Sequence, residues 1–387
     1  MLLFMGAKRA VVVGGGIGGL TAAAALRTRG WDVVVCERAA SLDPVGSGLS
    51  LGPNALRALD TIGLGQGTRE LAAIDGVSGI RRSGGRWLVR ADVTAPMLEK
   101  YGDLAVIALR AELVDLLLTR LPEGTVKTST TVSAVDPVSG SVTTSEGVLE
   151  ADLVVAADGV RSVVREALFP GHPGARYSGA TTWRFVVPEP GRGFRTTETW
   201  GRGDVFGVMP LSGKRIYCYA SAVAPAGQTF ADERAELLRR FGDWHDPIPE
   251  LVAAADPAKI LHNDVYWIAD PLPAYHSGRV AILGDAAHAM SPNLGQGACQ
   301  AIEDAVVLAS LADRPDGLAR YTAARLPRTR MVVQNSHRVS RMVGLHSPLA
   351  TAARDAFMWG VGRFGSAALI RQTARVFEWT PPRLSDS

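Results

Sequence analysis

The stretch from Arg9 to Glu37 reads RAVVVGGGIGGLTAAAALRTRGWDVVVCE. Its β-branched start, Arg9 to Val13, predicts a parallel strand buried on both faces. Gly14 to Gly19 break that run. Leu20 to Arg29 are alanine-rich and predict a helix, which Gly30 caps. Trp31 to Cys36 predict a second strand, completing a βαβ unit. Gly14, Gly16 and Gly19 form G-x-G-x-x-G between the first strand and the helix. Glycines there allow a tight turn and let a pyrophosphate approach the helix start. Glu37 ends the second strand, where its carboxylate can hold the ribose hydroxyls of an adenosine half. This pattern predicts a dinucleotide site but does not separate NAD from FAD.

The same glycine spacing occurs at Gly360, Gly362 and Gly365, with an acid at Glu378. There the preceding residues, Thr351 to Trp359, are helix-like and no second strand leads to the acid. The match fails its context and is read as a loop or kink between C-terminal helices.

The chain of 387 residues exceeds one small core and fits two intertwined domains or one large one. With 47% hydrophobic and 20% charged residues, it is neither disordered nor fibrous. The net charge of +3 is spread over single arginines, and the densest basic stretch, Arg325 to Arg330, lacks interleaved aromatics. Nucleic-acid binding is therefore not expected. Cys36, Cys218 and Cys299 are far apart and show no metal-ligand spacing, which fits a reduced, cytoplasmic protein without a metal site. The apolar start Met1 to Gly6 is too short for a signal peptide, and no apolar run is long enough to span a membrane.

Farther along, Pro53 to Leu64 and Leu109 to Leu121 predict helices, and Ile80 to Val93 predict a β-excursion. Short strands are expected around Lys127 to Val135, Ser141 to Thr144 and Leu153 to Ala156. From Tyr177 to about Ile268 the chain holds most of its aromatics. Its alternating runs, Thr181 to Val187, Val205 to Pro210 and Arg215 to Ala220, predict a mostly antiparallel sheet. Arg279 to Leu283 predict another buried strand, and Gln300 to Leu311 a helix. The expected fold is α/β. Residues 1–176 and 271–340 form a Rossmann-like binding domain, with a β-sheet domain inserted at 177–270 and a helical region at 341–387.

Two more segments carry chemistry. One is Ala157-Asp158-Gly159-Val160-Arg161-Ser162; the other runs Gly284-Asp285-Ala-Ala-His288-Ala-Met-Ser-Pro292-Asn-Leu-Gly295-Gln-Gly297. With the N-terminal glycines, in this order, they resemble the three signatures of the single-component FAD-dependent monooxygenases, the family of the para-hydroxybenzoate hydroxylase fold. Gly46 to Leu64 is similar to the salicylate and urate hydroxylase branch.

The resemblance implies FAD as cofactor, NADPH or NADH as co-substrate, and molecular oxygen. It further implies transfer of one oxygen atom from a flavin C4a-hydroperoxide to an aromatic or heteroaromatic small molecule. Asp285, after a strand, would accept a hydrogen bond from a ribityl hydroxyl. Pro292, Gly295, Gly297 and Ala298 would bring a helix start to the flavin ring, where the dipole favours the charge of reduced flavin. Arg110 matches the family's arginine near the flavin. Arg38 would lie beside the adenosine half or on the surface. Asp158 and Gly159 would touch both flavin and nicotinamide, and Arg161 would pair with Asp158 or receive NAD(P)H. His288 reads as a satisfied supporting histidine.

Candidate pocket linings are Trp183, Arg184, Phe206, Met209, Tyr217, Tyr219 and Pro292, of which Arg184, Tyr217 and Pro292 are the catalytic candidates. Tyr217 and Tyr219 share one strand face. An olefin epoxidase and a flavin-dependent reductase or dehydrogenase remain alternatives. The C-terminal segment Ser347 to Trp379 is expected to pack on the FAD domain or join two copies, so that monomer and homodimer both stay open. A membrane-surface helix is the less favoured reading of it.

Overall fold

A computed structural model describes residues 7–42, 47–72, 74, 76–364 and 374–384. The readings of Met1 to Gly6, Gly46 and Gly365 fall outside these residues. The first βαβ unit forms as its residues dictate: strand Arg9–Val13, helix Ile17–Thr28, strand Asp32–Cys36. Val11, Val12 and Val35 are wholly buried. Burying such side chains contributes roughly 1.5–3 kcal/mol each.

These strands lie in a six-stranded sheet of order His276–Ser277, Val280–Ile282, Leu153–Ala156, Arg9–Val13, Asp32–Cys36, Val126–Lys127. All neighbours are parallel except the first pair. Every motif of the sequence emerges at a carboxyl end of this sheet. Val13 leads to Gly14, Cys36 to Glu37, Ala156 to Asp158, and Ile282 to Asp285. In open α/β sheets that edge is where ligands bind.

The second sheet has seven strands: Leu261–Trp267, Arg176–Pro188, Arg215–Val223, Asp204–Leu211, Thr197–Trp200, Val77–Arg82 and Trp87–Asp92. It is antiparallel apart from the pairing of Thr197–Trp200 with Val77–Arg82. The hairpin at 77–92 therefore belongs to this sheet, although it lies inside the stretch 1–176 read as the first domain. Its alternation was visible, but the partner strand is over 100 residues away.

Strand periodicity divides the aromatic residues between two faces. Trp183, Phe185, Phe206 and Cys218 point to one side, where Leu237, Phe241, Ile248 and Leu251 cover them. Tyr217, Tyr219, Val186 and Met209 point to the other, against Ile107 and Leu109 of the first domain. Trp183 and Phe206 thus belong to a core on the far face, not to a pocket lining. The Trp183 indole donates to Glu233 at 2.7 Å and stacks on His262.

The helix Gly317–Val343 runs unbroken through residue 340, so no domain boundary falls there. Pro348–Phe364 is also continuous, which makes Gly360 and Gly362 helical residues rather than a loop or kink.

Buried charge joins these helices. Glu303 and Asp304, adjacent on Gly297–Leu311, are fully buried. Arg325 reaches both, at 2.5 Å to Glu303 and 2.6 Å to Asp304. Arg328 adds two bonds to Glu303 and also donates to the carbonyls of Arg375 and Val376. Asn54 donates to Glu303 at 2.6 Å, and His288 Nε2 lies 2.5 Å from Asp304. Trp379 lies against Arg325 and Arg328. The densest basic stretch of the sequence therefore turns its Arg325 and Arg328 inward.

Burial by itself raises the pKa of Asp304, but His288 and Arg325 outweigh it and hold the carboxyl at about 2, below its ordinary 3.8. A depressed carboxyl stabilises the fold above its ordinary pKa and loses that contribution as pH falls through the lowered value. Stability to urea should accordingly drop as pH falls from about 4 toward 2, and Asp304→Asn should flatten this dependence. Arg325→Met should cost about 3–5 kcal/mol, because it strands buried carboxylates. A cost below about 1 kcal/mol in urea titrations would contradict this account.

Candidate active site

The three fingerprint glycines have different tasks. Gly14 has φ +107°, and a Cβ there would stand 2.4 Å from the Ala157 carbonyl oxygen. A Cβ at Gly19 would meet the Gly14 carbonyl oxygen at 2.0 Å. These two glycines therefore serve close packing. At Gly16 the nearest obstacle is Arg110 Nη2, 3.4 Å away. Gly16 precedes helix Ile17–Thr28, which has no side-chain cap and no acid in its first turn. Its free N–H groups and dipole face the cleft, an arrangement that fits a pyrophosphate.

Glu37 accepts from the Gly15 N–H at 2.7 Å and the Ala39 N–H at 2.8 Å. Those bonds fix its carboxylate beside the glycine turn. Arg38 is exposed next to it.

Arg110 begins the helix Arg110–Leu118. Its N–H donates to the Ser47 carbonyl at 2.9 Å, which ties it to strand Gly48–Leu51. Protein atoms surround the guanidinium, yet solvent still reaches it, as at the floor of a cleft. Burial lowers its pKa, nearby Asp285 opposes that, and Arg184 and Glu37 are the other charges close by. Asp285 is exposed between buried neighbours on either side. The Cβ position at Gly297 lies 4.0 Å from Asp285 Oδ1, so this acid adjoins the start of helix Gly297–Leu311.

The segment before that helix is fixed from below. Gly295 adopts a left-handed conformation, φ +61°, against Ser50. Buried Gln296 accepts from Asn54 at 3.1 Å. Pro292 is left exposed above, while Gly297 and Ala298 are half-buried.

The inner face of the seven-stranded sheet closes the cleft from the other side. The Tyr217 ring lies flat where a Cβ at Gly48 would be, 2.4 Å from Cδ1. Burial pushes its phenol up to about 12, against the opposing pull of Arg184. Arg184 donates to Asn263 at 2.5 Å. Tyr219, 6.0 Å from Tyr217 between ring centres, donates to Glu198. Gly16, Arg110, Asp285, Arg184 and Tyr217 thus converge from distant parts of the chain.

Other expected residues have partners within the fold. Asp158 accepts from Ser162 at 2.6 Å and from the Val164 N–H at 3.2 Å, capping helix Val163–Leu168. Arg161 lies 6.0 Å over the Tyr266 ring rather than on Asp158. His288 is buried against Asp304 and supports the loop after Asp285.

Arg165 went unnoticed in the sequence. It is buried and donates to the carbonyls of Ala286 and Val160, clamping the Asp285 loop to the Asp158 loop. Glu303 and Asp304 also went unnoticed, although two acids inside the apolar run Gln300 to Leu311 were a readable signal.

A family model described as FAD binding domain matches residues 8–336. Aurachin C monooxygenase/isomerase of Stigmatella aurantiaca is 37% identical over 383 residues, covering 96% of this chain and 98% of its own. An FAD-dependent urate hydroxylase of Klebsiella pneumoniae is 33% identical over 347 residues, with 84% and 88% covered. The crystal structure of Klebsiella pneumoniae HpxO with FAD and uric acid superposes with a TM-score of 0.89 at 29% identity, covering 98% of this chain and 99% of that one. The chain thus belongs to the FAD-dependent monooxygenases of this FAD-binding family, and the cleft built on Gly16, Arg110 and Asp285 is its candidate cofactor site.

Proposed function

We propose that the chain hydroxylates an aromatic or heteroaromatic small molecule bound between the inner face of the seven-stranded sheet and the Pro292–Gly297 segment. NADPH or NADH would supply the electrons and molecular oxygen the inserted atom. The observation that carries this reading is the convergence of Arg110 and Asp285 with Arg184 and Tyr217 in one cleft.

When bound, FAD supplies the redox and oxygen chemistry. The chain's own residues position, charge and dry the site. Gly16 and the uncapped start of helix Ile17–Thr28 would take the pyrophosphate, with Glu37 on the ribose. Asp285 would accept from a ribityl hydroxyl, and Arg110 would hold cofactor oxygens. The N–H groups at Gly297 and Ala298 would face the ring and favour its reduced, anionic form.

Tyr217, with its raised pKa, stays protonated near neutrality and offers both a donor and an acceptor. Arg184 offers a positive charge to an anionic or carbonyl oxygen of the substrate. Ile107, Leu109, Val186, Met209 and Leu211 surround Tyr217, so a largely apolar substrate body suits this face. Such walls exclude water, which limits unproductive release of peroxide. In domain terms, 1–176 and 271–340 would serve FAD and 177–270 the substrate, with the hairpin at 77–92 completing the substrate sheet.

Two contrasts test the cofactor site. Gly16→Val should leave the stability of the FAD-free protein nearly unchanged while weakening FAD binding at least about tenfold, because only the ligand's approach is blocked. Gly14→Ala should instead prevent folding, since its Cβ meets backbone. Arg110→Met should weaken FAD about 10- to 100-fold, as expected for a lost charged hydrogen bond. Unchanged flavin fluorescence titrations for both Gly16→Val and Arg110→Met would refute the placement.

For the reaction, the FAD-loaded protein is assayed in air with NADPH or NADH and a panel of phenols, indoles, quinolines and purines. A compound that accelerates oxidation should gain one oxygen by mass. Substrate turnover without oxygen would overturn the monooxygenase reading in favour of a dehydrogenase. A product epoxidised at an olefin would move the assignment to that alternative.

A further inference from the structure

Helix Pro348–Phe364 buries one stripe and leaves another bare. Thr351, Arg354, Asp355 and Met358 are buried. Gly362 lets the helix lie close on the edge strand Trp87–Asp92, since a Cβ there would come within 2.8 Å of the Leu88 carbonyl oxygen. On its outer side Leu349 is 81% exposed, Phe357 64% and Trp359 44%, with Ala352, Ala353 and Ala356 exposed among them. A soluble monomer seldom leaves such a stripe open without a use.

Basic residues outnumber acids around this stripe. Asp355 is the helix's sole acid, and it is buried between Arg354 and Arg82. The hairpin on which the helix lies carries Arg81, Arg82, Arg86 and Arg90 against the single acid Asp92. Trp87 there lies between Arg81 at 4.0 Å and Arg90 at 5.5 Å. On the helix itself the Arg363 guanidinium lies 6.0 Å over Trp359. Arg202 and Arg341, near the start of the helix, are exposed as well.

Apolar and aromatic side chains rimmed by arginine match an anionic lipid interface, where rings settle at headgroup depth and cations meet phosphates. A second copy of the chain fits worse. A two-fold contact sets the same patch against itself, which would bring these arginines face to face.

We propose that the Pro348–Phe364 helix and the 77–92 hairpin form a peripheral docking surface for an anionic lipid bilayer. The inner side of this helix places Met358 against Trp200 in a cluster that also includes Tyr219. The docking surface therefore borders the sheet face that carries Tyr217, a position from which a membrane-dissolved apolar compound has a short route to that face. No described helix is long and apolar enough to cross the bilayer, so the contact is superficial.

The test is co-sedimentation of the FAD-loaded protein with phosphatidylcholine vesicles, with and without phosphatidylglycerol. The wild type should pellet with the anionic vesicles and much less with the neutral ones. Phe357→Ser combined with Trp359→Ser should lower the partition coefficient at least about tenfold, with bound FAD and melting temperature unchanged because both side chains are exposed. Leu238→Ser, an exposed apolar position on helix Glu233–Phe241, should have no effect. Failure to pellet, or equal pelleting of the double variant, would overturn the proposal. So would a dimer in light scattering that the double variant converts to monomer, since the stripe would then belong to a second copy.

Discussion

Two ionised carboxylates side by side on one helix, in an interior that excludes water, are intolerable alone. Like charges at that spacing repel, and each has lost its hydration. Glu303 and Asp304 are held by Arg325, Arg328, Asn54 and His288, partners that come from three separate parts of the chain. The constraint is directional. The helix Gly297–Leu311 cannot rotate or slide without stranding a buried charge, so its amino end is fixed in register. That amino end adjoins Asp285 in the candidate cofactor cleft. The ion cluster thus fixes position as well as contributing stability, because breaking any one partner leaves a buried charge uncompensated.

The same cluster coordinates the rest of the cleft. Asp304 also accepts the Gly284 N–H at 3.0 Å, which holds the turn presenting Asp285. His288, on the short helix that begins with Asp285, is bound to the same carboxylate. Gln300 and Gln296 extend the network to Asn54, and so to the segment lying against the Pro292–Gly297 loop. Arg165 performs the matching task between the Asp285 and Asp158 loops. A cleft open to solvent is in this way backed by a layer of hydrogen-bonded polar groups, of which only single atoms such as Asn54 Oδ1, His288 Nδ1 and Arg165 Nε lack a partner among the described residues, and pre-organised polar sites depend on such backing.

Which parts of this were legible follows from the range of the forces involved. The βαβ unit and its glycines are local: strand, turn and helix are each set within a few residues, and the Gly14 and Gly19 contacts arise inside the motif or just across the sheet. Asp285 and the Gly295 to Gly297 turn are legible for the same reason. The sidedness of the aromatic sheet was half legible. Period-two spacing puts Tyr217 and Tyr219 together, but deciding which face turns to the first domain needs the cover on the other face, Leu237 to Leu251, to be seen in place. Trp183 and Phe206 read as pocket linings in the sequence because a large ring looks alike in a core and in a cleft. The parallel pairing of Thr197–Trp200 with Val77–Arg82 has no local signature at all.

Arginine was the residue least readable from the sequence. Arg110, Arg165, Arg184, Arg325, Arg328 and Arg363 look alike in the sequence, yet one lines the cleft floor, one clamps two loops, one donates to Asn263 beside the cleft, two neutralise buried acids and one covers an indole. What separates them is whether an acid, a carbonyl or an aromatic ring waits across the fold. The Arg325–Arg328 pair has buried acids opposite it, and its charge is consumed inside the protein. On the 77–92 hairpin Arg82 shares the single acid of the facing helix with Arg354, which leaves Arg81, Arg86 and Arg90 in excess over the hairpin's own Asp92. A net charge of +3 conceals this division. Part of the basic charge holds the Gly297–Leu311 helix in register, much of it is paired with acids over the surface, and a local excess stays at the apolar edge of the sheet.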